Sequence, residues 1–272
     1  MELTKQSDYE RYIRIDSNGE HCVHLHQFVF RSVYQPIFDH SRTLIGMEAL
    51  LRIETVDGVS IRPDIFFSDN SWDKSFRLAV EFLSRAIHIR NFAKHFAGSG
   101  VKLFLNVMPA ALLTLTTDMG FKDTGLLYQR LKALNMETSD VVFEVIEQHC
   151  EETESLIKAV EKLKASGFLF AIDDYGAQYS DQKRVLQLCP DIIKIDRSYL
   201  LEFCNGNEDA VFSAIELAQN LGAKVVIEGV EQENQLAAMQ ALCVDFYQGF
   251  YLGKPKSIHH WTVQKANAKV LH

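Results

Sequence analysis

Short apolar runs alternate with amphipathic stretches from residue 28 onward, and this alternation constrains the fold more than any other feature. The stretches 74–97, 152–166 and 232–242 carry apolar residues at helical spacing, and Gly167 and Gly222 act as helix stop signals. Most apolar runs end in an acidic or amide residue. We interpret eight runs as strands: Phe28–Tyr34, Thr43–Arg52, Val101–Asn106, Val141–Glu147, Phe168–Asp174, Ile192–Asp196, Lys224–Glu228 and Val244–Gln248. Alternating strands and helices are typical of a parallel sheet.

Eight strands between residues 28 and 272 favour a closed barrel over an open sheet. The first two strands are separated by a short turn, Asp39-His40-Ser41-Arg42, which leaves no room for a helical crossover. These two strands must therefore run antiparallel. The prediction is an α/β fold, a TIM-like (β/α)8 barrel with one antiparallel strand, formed by a single domain over 28–272. We place Glu48 within the reversed strand.

Composition disfavours several classes of function. The formal net charge of −8 and the pI near 5.7 argue against binding to a nucleic-acid duplex. No apolar stretch is long enough to span a membrane, and residues 1–16 lack the apolar segment of a signal peptide. The cysteines are scattered without a CxxC pair, which indicates a reducing compartment. Cys189 and Cys243 lie in apolar contexts that are typical of a core. We expect a cytoplasmic protein.

Residues 1–27 differ from the rest of the chain and form a predicted N-terminal extension. Cys22, His24 and His26 alternate there, which places them on one face of an extended segment. Cysteine and histidine are zinc ligands, so a metal site is one interpretation. The other is a short solvated strand. It is the more frequent outcome, because structural zinc sites usually draw their ligands from two separated pairs.

Polar residues cluster where the predicted strands end. In parallel barrels the active site lies at this edge, the C-terminal ends of the strands. The polar residues there are Asn106, Glu144, Asp173, Asp174, Lys194, Asp196, Glu228 and Gln248. A single carboxylate at a strand end is often a helix N-cap, but carboxylates from several strands that meet in one mouth would repel each other. One or two divalent cations would relieve this repulsion, and oxygen ligands favour Mg²⁺ or Mn²⁺. The adjacent Asp173 and Asp174 could bridge two ions about 4 Å apart.

Lys194 has two interpretations. It shares strand parity with Asp196, whereas Ile193 and Ile195 face the helices. Lys194 is either a partner in a structural salt bridge or a base whose pKa is lowered by burial and metals, and the sequence favours neither. Other chemistries lack their motifs, since GxGxxG, GxxxxGK[ST], GxSxG and HExxH do not occur in the sequence.

Eight motifs, in order along residues 28–260, resemble those of the EAL-domain family of bacterial cyclic di-GMP phosphodiesterases. They are YQPI at 34–37, EALLR at 48–52, NVMP at 106–109, EVIE at 144–147, DDYG at 173–176, KID at 194–196, EGVE at 228–231, and QGF at 248–250 followed by Pro255. The resemblance implies a barrel with one antiparallel strand, in agreement with the strand pattern. The chain departs from the family at three places, one of which is the sequence Ser68-Asp69-Asn70-Ser71 where the family usually has Ala-Glu after the first loop. Gln178 replaces a glycine in the loop after the double aspartate, and Met108 stands where serine is common.

The resemblance implies two metal ions, Mg²⁺ or Mn²⁺, bound through oxygen atoms. The family's ligands correspond to Glu48, Asn106, Glu144, Asp173, Asp174 and Asp196. Lys194 would orient or deprotonate the attacking water, and Glu228 and Gln248 would complete the metal–water site. Ca²⁺ takes more oxygen ligands at longer distances than Mg²⁺ does, so we expect it to bind and inhibit.

The implied reaction converts cyclic di-GMP into linear pGpG. Gln35, Arg52 and Gln248 would contact the substrate, and the planar guanidinium of Arg52 suits a phosphate. Glu147 would brace the loop after Asp174, which supports the family's homodimer, and a protein regulator would be a further partner. The alternative is a catalytically weak receptor for cyclic di-GMP or a protein-binding regulator. Such family members typically lose metal ligands, and this chain keeps every expected one.

Overall fold

A computed structural model describes residues 3, 5–69, 71–118, 125–146, 153–177 and 182–262, which contain eleven strands and ten helices. The strands are β1 (Ile13–Ile15), β2 (His21–Leu25), β3 (Phe28–Asp39), β4 (Leu44–Thr55), β5 (Ser60–Ile61), β6 (Lys102–Asn106), β7 (Val141–Ile146), β8 (Leu169–Tyr175), β9 (Ile192–Ile195), β10 (Lys224–Ile227) and β11 (Phe246–Tyr247). The helices are α1 (Gln6–Glu10), α2 (Pro63–Ser68), α3 (Lys74–Phe96), α4 (Pro109–Asp118), α5 (Leu126–Ala133), α6 (Thr153–Ala165), α7 (Gln182–Leu188), α8 (Arg197–Cys204), α9 (Asp209–Leu221) and α10 (Glu233–Ala241).

Eight of the strands close a barrel, which confirms the predicted fold. The order around the barrel is β3–β11–β10–β9–β8–β7–β6–β4, and β4 pairs again with β3. Strand β3 is antiparallel to both of its neighbours, whereas the other pairs in the barrel are parallel. The reversed strand is therefore β3. Our placement of Glu48 in the reversed strand is wrong, because Glu48 lies on β4. The short turn requires only that β3 and β4 oppose each other, and the parallel pairing of β4 with β6 decides which one is reversed.

The interior of the barrel consists of an apolar layer beneath a polar one. The apolar layer contains Ile37, Phe104, Val142, Ala171, Ile192 and Val226. Side chains two positions apart on a strand face the same side. The mouth above this layer is therefore built from the residues two positions further along the parallel strands: Asn106, Glu144, Asp173, Lys194 and Glu228. Glu48 follows Gly46 in the same way. A Cβ at Gly46 would lie 2.4 Å from the Phe104 ring, so glycine makes room for that ring.

Outward-facing strand residues pack beneath the surrounding helices. Ile193 and Ile195 join the large core between strands and helices, as the strand parity predicts. Helix α3 lies within the predicted stretch 74–97, and Asp73 caps it by accepting a hydrogen bond from the Phe76 N–H at 2.7 Å. Gly222 ends α9 at a φ of +67°. Within the described residues no helix has the combined length and apolarity that a membrane crossing requires.

Residues of the N-terminal segment contribute to a second apolar core. Tyr9, Ile13, Val23 and Leu25 pack there with side chains of β3, β4, α2 and α3. Strand β2 extends the sheet by pairing with β3. The side chain of Asn91, on α3, fastens this segment: its Oδ1 accepts from the His21 N–H at 2.7 Å, and its Nδ2 donates to the His21 carbonyl at 2.9 Å. The boundary at residue 27 remains a prediction.

The structure bears on both interpretations made for cysteine and histidine, and it corrects the one for Cys189 and Cys243. Cys22 is buried while His24 and His26 are exposed, and among the described residues they do not form a group of potential metal ligands. Cys189 and Cys243 are exposed, so their assignment to the core is wrong. Both have a positive φ, 44° and 55°, close to the ends of α7 and α10. The positive φ turns each cysteine side chain toward solvent, although the neighbouring residues in the sequence are apolar.

We predict that Asn91→Ala loosens the N-terminal segment while the barrel stays folded. Asn91 is buried, and its removal leaves the His21 backbone groups without their partner, at a cost of roughly 1–3 kcal/mol. Hydrogen exchange at residues 21–25 should accelerate by more than tenfold. Lys94→Met is the control, because it removes one hydrogen bond to the Gly19 carbonyl at 3.2 Å. Equal exchange rates in Asn91→Ala and the unmodified chain would contradict the assigned role.

Candidate active site

The ammonium group of Lys194 lies among four carboxylates at the mouth of the barrel. Its Nζ is 2.6 Å from Asp173 Oδ1, 2.9 Å from Glu144 Oε1, 2.9 Å from Glu228 Oε1 and 3.5 Å from Glu48 Oε2. Lys194 is 1% exposed and Glu144 is fully buried. One positive charge therefore faces four groups that are negative when ionised, and the cluster has an excess of acid.

Asp196 is not an ion-pair partner of Lys194, although strand parity suggested it. The Asp196 side chain caps α8, and its Oδ1 accepts from the Ser198 N–H at 2.9 Å. Burial by itself lowers the pKa of Lys194, but the surrounding carboxylates outweigh burial and hold that pKa well above its usual value. The lowered pKa considered from the sequence requires bound metal ions as well as burial, so that interpretation of Lys194 stays a prediction. Lys194 is a cation here.

A β-bulge brings two consecutive aspartates to the mouth. The pairing of β8 with β9 shifts after Ile172, so that Asp173 and Asp174 oppose the single residue Lys194. Asp174 has a φ of 54°, a left-handed conformation that aspartate tolerates better than most residues. Consecutive side chains of a regular strand face opposite sides. The bulge instead leaves ligand atoms of Asp173, Asp174 and Glu228 within 4.8 Å of one another.

Two amide side chains hold Glu48, one on each carboxylate oxygen. Asn106 Nδ2 donates to Glu48 Oε1 at 2.9 Å, and Gln248 Nε2 donates to Glu48 Oε2 at 2.8 Å. Gln248 is placed by the glycine that follows it. A Cβ at Gly249 would lie 2.1 Å from the Val230 carbonyl oxygen, so glycine alone allows this close approach of the two chain segments. These contacts fix the orientation of the Glu48 carboxylate.

Burial raises the pKa of the carboxyl groups in the cluster. Desolvation lifts the pKa of Glu144 and of Glu228 well above the usual value, although the Lys194 charge opposes it. Desolvation, together with the neighbouring charge of Asp173, raises the pKa of Asp174 to about 6. A single lysine therefore does not compensate all of these acids, and further positive charge would stabilise their ionised forms.

The cluster offers more acceptors than donors, as a cation site does. Glu144 Oε2 and Gln248 Oε1 are buried and have no hydrogen-bond partner among the described residues. A buried polar atom without a partner costs about 1–3 kcal/mol. Carboxylate and amide oxygens are the ligands that Mg²⁺, Mn²⁺ and Ca²⁺ prefer. The residues present therefore fit a divalent cation.

Two of the three candidate substrate-binding residues lie along the hairpin of β3 and β4, and the third, Gln248, follows β11. Gln35 stands directly opposite Glu48 in the strand register. Arg52 lies four residues beyond Glu48 on the same face of β4, and it is exposed. Two other positions singled out from the sequence, Glu147 and Gln178, lie outside the described residues.

Arg31 is a residue near this site that the sequence reasoning missed. It faces Arg52 in the register of β3 and β4, and its Nη1 lies 2.7 Å from Asp16 Oδ2 in the N-terminal segment. Arg31 precedes the family motifs, and Asp16 is 15 residues away along the chain. Arg31 and Gln35 lie four residues apart on β3 and so face the same side of the strand. This shared orientation was the one sequence signal that could have placed Arg31 near the site.

The fold is a closed α/β barrel with one reversed strand, and its mouth is rich in acidic residues. These two features define the class of protein: an α/β barrel with a site suited to divalent cations. The chain belongs to the EAL domain family, whose model matches residues 23–255. This match confirms the resemblance inferred from the ordered motifs.

Curated relatives carry names that specify cyclic di-GMP. The chain is 30% identical over 219 residues to the probable cyclic di-GMP phosphodiesterase PdeA of Escherichia coli K12, which covers 78% of this chain and 29% of PdeA. It is 29% identical over 231 residues to the bifunctional diguanylate cyclase/cyclic di-GMP phosphodiesterase MucR of Pseudomonas aeruginosa, covering 82% and 32% of the two chains. The chain thus spans about a third of the length of these relatives.

Solved structures share the fold. The MucR phosphodiesterase in complex with cyclic di-GMP superposes with a TM-score of 0.70 at 26% identity, covering 85% of this chain and 94% of that one. BlrP1 of Klebsiella pneumoniae, in a complex with manganese and cyclic di-GMP, gives a TM-score of 0.69 at 25% identity, covering 84% and 56%.

We predict that Lys194→Met lowers the free energy of unfolding of the metal-free protein by roughly 3–5 kcal/mol at pH 8, because it leaves buried carboxylates without their cation. A raised folded-state pKa means that the stabilisation by Lys194 is present below the usual lysine pKa and is lost only in strong alkali. The loss in the variant should shrink in acid, where the carboxyl groups are protonated. Urea unfolding at pH 5 and pH 8 measures both effects.

Lys224→Met is the matched control for this prediction. Lys224 forms an exposed ion pair with Asp245 at 2.7 Å, so its removal should cost less than about 1 kcal/mol. If Lys194→Met were as stable as the control at pH 8, the ammonium group would not be the main partner of the buried carboxylates.

Proposed function

We propose that the chain hydrolyses one phosphodiester bond of cyclic di-GMP and releases linear pGpG, with Mg²⁺ or Mn²⁺ as cofactor and two ions per site. The observation that carries the proposal is the buried acidic cluster around Lys194, which has unpartnered oxygen atoms and an excess of negative charge. The names of PdeA and MucR support the substrate, and the manganese complex of BlrP1 supports a divalent ion.

The proposed ligands are the residues that match the ligand motifs of the family. Glu48, Asn106, Glu144 and Asp173 would hold one ion, and Asp173 would share the second with Asp174 and Asp196. When bound, the ions would activate a water molecule and neutralise charge on the transferring phosphate. Asp196 would have to contribute the oxygen that does not cap α8, since its Oδ1 accepts the Ser198 N–H.

Lys194 and Glu228 have complementary roles in this proposal. In the metal-free cluster the carboxylates hold the pKa of Lys194 well above its usual value. We propose that the ammonium group also stays protonated when the ions bind, and that it would donate hydrogen bonds to the attacking water and stabilise charge that develops on the phosphate. Glu228, which lies 2.9 Å from Lys194 Nζ and has a raised pKa, would accept the proton of that water. Glu48, held by Asn106 and Gln248, would keep its ligand orientation throughout.

The hairpin of β3 and β4 would bind the substrate. Gln35 stands beside Glu48, and the guanidinium of Arg52, further along the same strand face, suits a phosphate oxygen pair. We propose that these two residues and Gln248 place the scissile phosphate over the acidic cluster. A homodimer, a protein regulator and a cytoplasmic location are further proposals that rest on the family resemblance.

Product analysis tests the proposed reaction. Purified protein is incubated with cyclic di-GMP and no metal, Mg²⁺, Mn²⁺ or Ca²⁺, and the nucleotides are separated by chromatography. We expect pGpG with Mg²⁺ or Mn²⁺ and none with Ca²⁺, whose longer bonds to oxygen would misplace the attacking water. Glu48→Gln should lower turnover by more than about 100-fold, because it removes a ligand charge from the mouth.

Glu54→Gln is the control, since Glu54 lies on the same strand as Glu48 and is half-exposed beyond the mouth. Turnover that is independent of metal, or that is unchanged in Glu48→Gln, would contradict the proposed site. Tight binding of cyclic di-GMP without pGpG under any metal condition would support the receptor alternative instead.

A further inference from the structure

A cavity of about 1050 Å³ lies outside the barrel, between α1, α3, α5 and the turn after α6. Its walls include Tyr9 from α1, Phe82 from α3, Leu127 from α5 and Phe168, which precedes β8. The residues of the acidic cluster do not line it. Its size is comparable to that of a pocket for a small organic ligand.

The charge of this cavity is opposite to that of the whole chain. Five basic side chains line it: Lys5, Arg85, Arg90, Lys94 and Arg130. Among its described lining residues Glu10 is the single acid, and Glu10 is paired with Arg90. The chain as a whole carries a formal net charge of −8. A basic cavity in an acidic protein attracts an anionic ligand.

Two of the arginines have buried donors without partners. The Arg130 guanidinium lies over the Tyr9 ring at 4.0 Å, and neither its Nε nor its Nη2 has a hydrogen-bond partner among the described residues. Arg85 is 6% exposed. Its Nη2 donates to Glu81 at 2.7 Å, while its Nε is unpartnered. A guanidinium has donors in a planar fork that matches a carboxylate or a phosphate, so an anion would satisfy these groups.

The remaining walls are largely apolar, both aliphatic and aromatic, and their polar members are Gln6, His21, Gln129 and Ser166. Ile89 from α3, Leu115 from α4, and Leu126 and Leu134 at the two ends of α5 line the cavity beside the arginines. Apolar walls favour an alkyl chain, because burial of its methylene groups removes apolar surface from water. The combination of guanidinium groups and apolar walls therefore selects a ligand with an anionic head and an apolar chain.

We propose that this cavity binds an acidic amphiphile, with its carboxylate or phosphate head at Arg130 and its alkyl chain between α3 and α5. The head could come from a fatty acid or from an alkyl phosphate, which share this chemistry. The site is separate from the barrel mouth, so it does not depend on the proposed hydrolase activity.

Binding of dodecanoate and of dodecyl phosphate to the full chain, each below its micellar concentration, tests the proposal by calorimetry. We expect one molecule of at least one probe per chain, and much weaker binding of dodecanol, which lacks the charge. Arg130→Met keeps the apolar body over Tyr9 but removes the donors, and it should raise the Kd about tenfold or more. The tighter of the two acidic probes identifies the head group.

Two further variants keep the test decisive. Ala133→Trp, at an exposed lining position on α5, should fill the cavity and abolish binding while the melting temperature stays near that of the unmodified chain. Arg62→Met removes an exposed arginine outside the cavity, which pairs with Asp64, and should leave binding unchanged. Lack of binding of both acidic probes, equal binding of dodecanol, or unchanged binding in Arg130→Met would overturn the proposal.

Discussion

The contact between the Lys194 ammonium and four carboxylates, three of them buried, is the interaction on which the mouth of the barrel depends. Carboxyl groups this close and this buried destabilise a fold unless positive charge compensates them, and Lys194 supplies one unit of it. The pKa values of Glu144, Asp174 and Glu228 are raised because one lysine does not compensate all of the buried negative charge. The same excess of acid that threatens stability gives the site its capacity for cations.

Strand periodicity explains how much of this arrangement was predictable. Apolar runs that end in polar residues indicated where the strands stop. Because side chains two positions apart face the same side of a strand, Asn106 lies above Phe104 and Glu144 lies above Val142, each in the polar layer over the apolar one. The barrel follows from the alternation of strands and helices. The ordered motifs added the family, which periodicity alone does not specify.

Other features depend on contacts that no local pattern encodes. The bulge at Asp174 breaks the strand parity, so the shared orientation of two consecutive aspartates could not be derived from spacing. Parity alone likewise suggested a pair of Lys194 with Asp196, whereas Asp196 is bound to the start of α8. The pairing of Arg31 with Asp16 joins the N-terminal segment to the barrel hairpin, and it arises only when β2 and β3 pair.

Titration of the metal-free protein with Mn²⁺, with free Mn²⁺ followed by its electron paramagnetic resonance signal, tests the central claim that the acidic mouth is a cation site. The account predicts two bound ions per chain at pH 8 and weaker binding below pH 6, where Asp174 is protonated. Asp173→Asn should reduce both stoichiometry and affinity, whereas Asp57→Asn, at an exposed turn, should change neither. Absence of binding in the unmodified chain, or full binding in Asp173→Asn, would contradict the account.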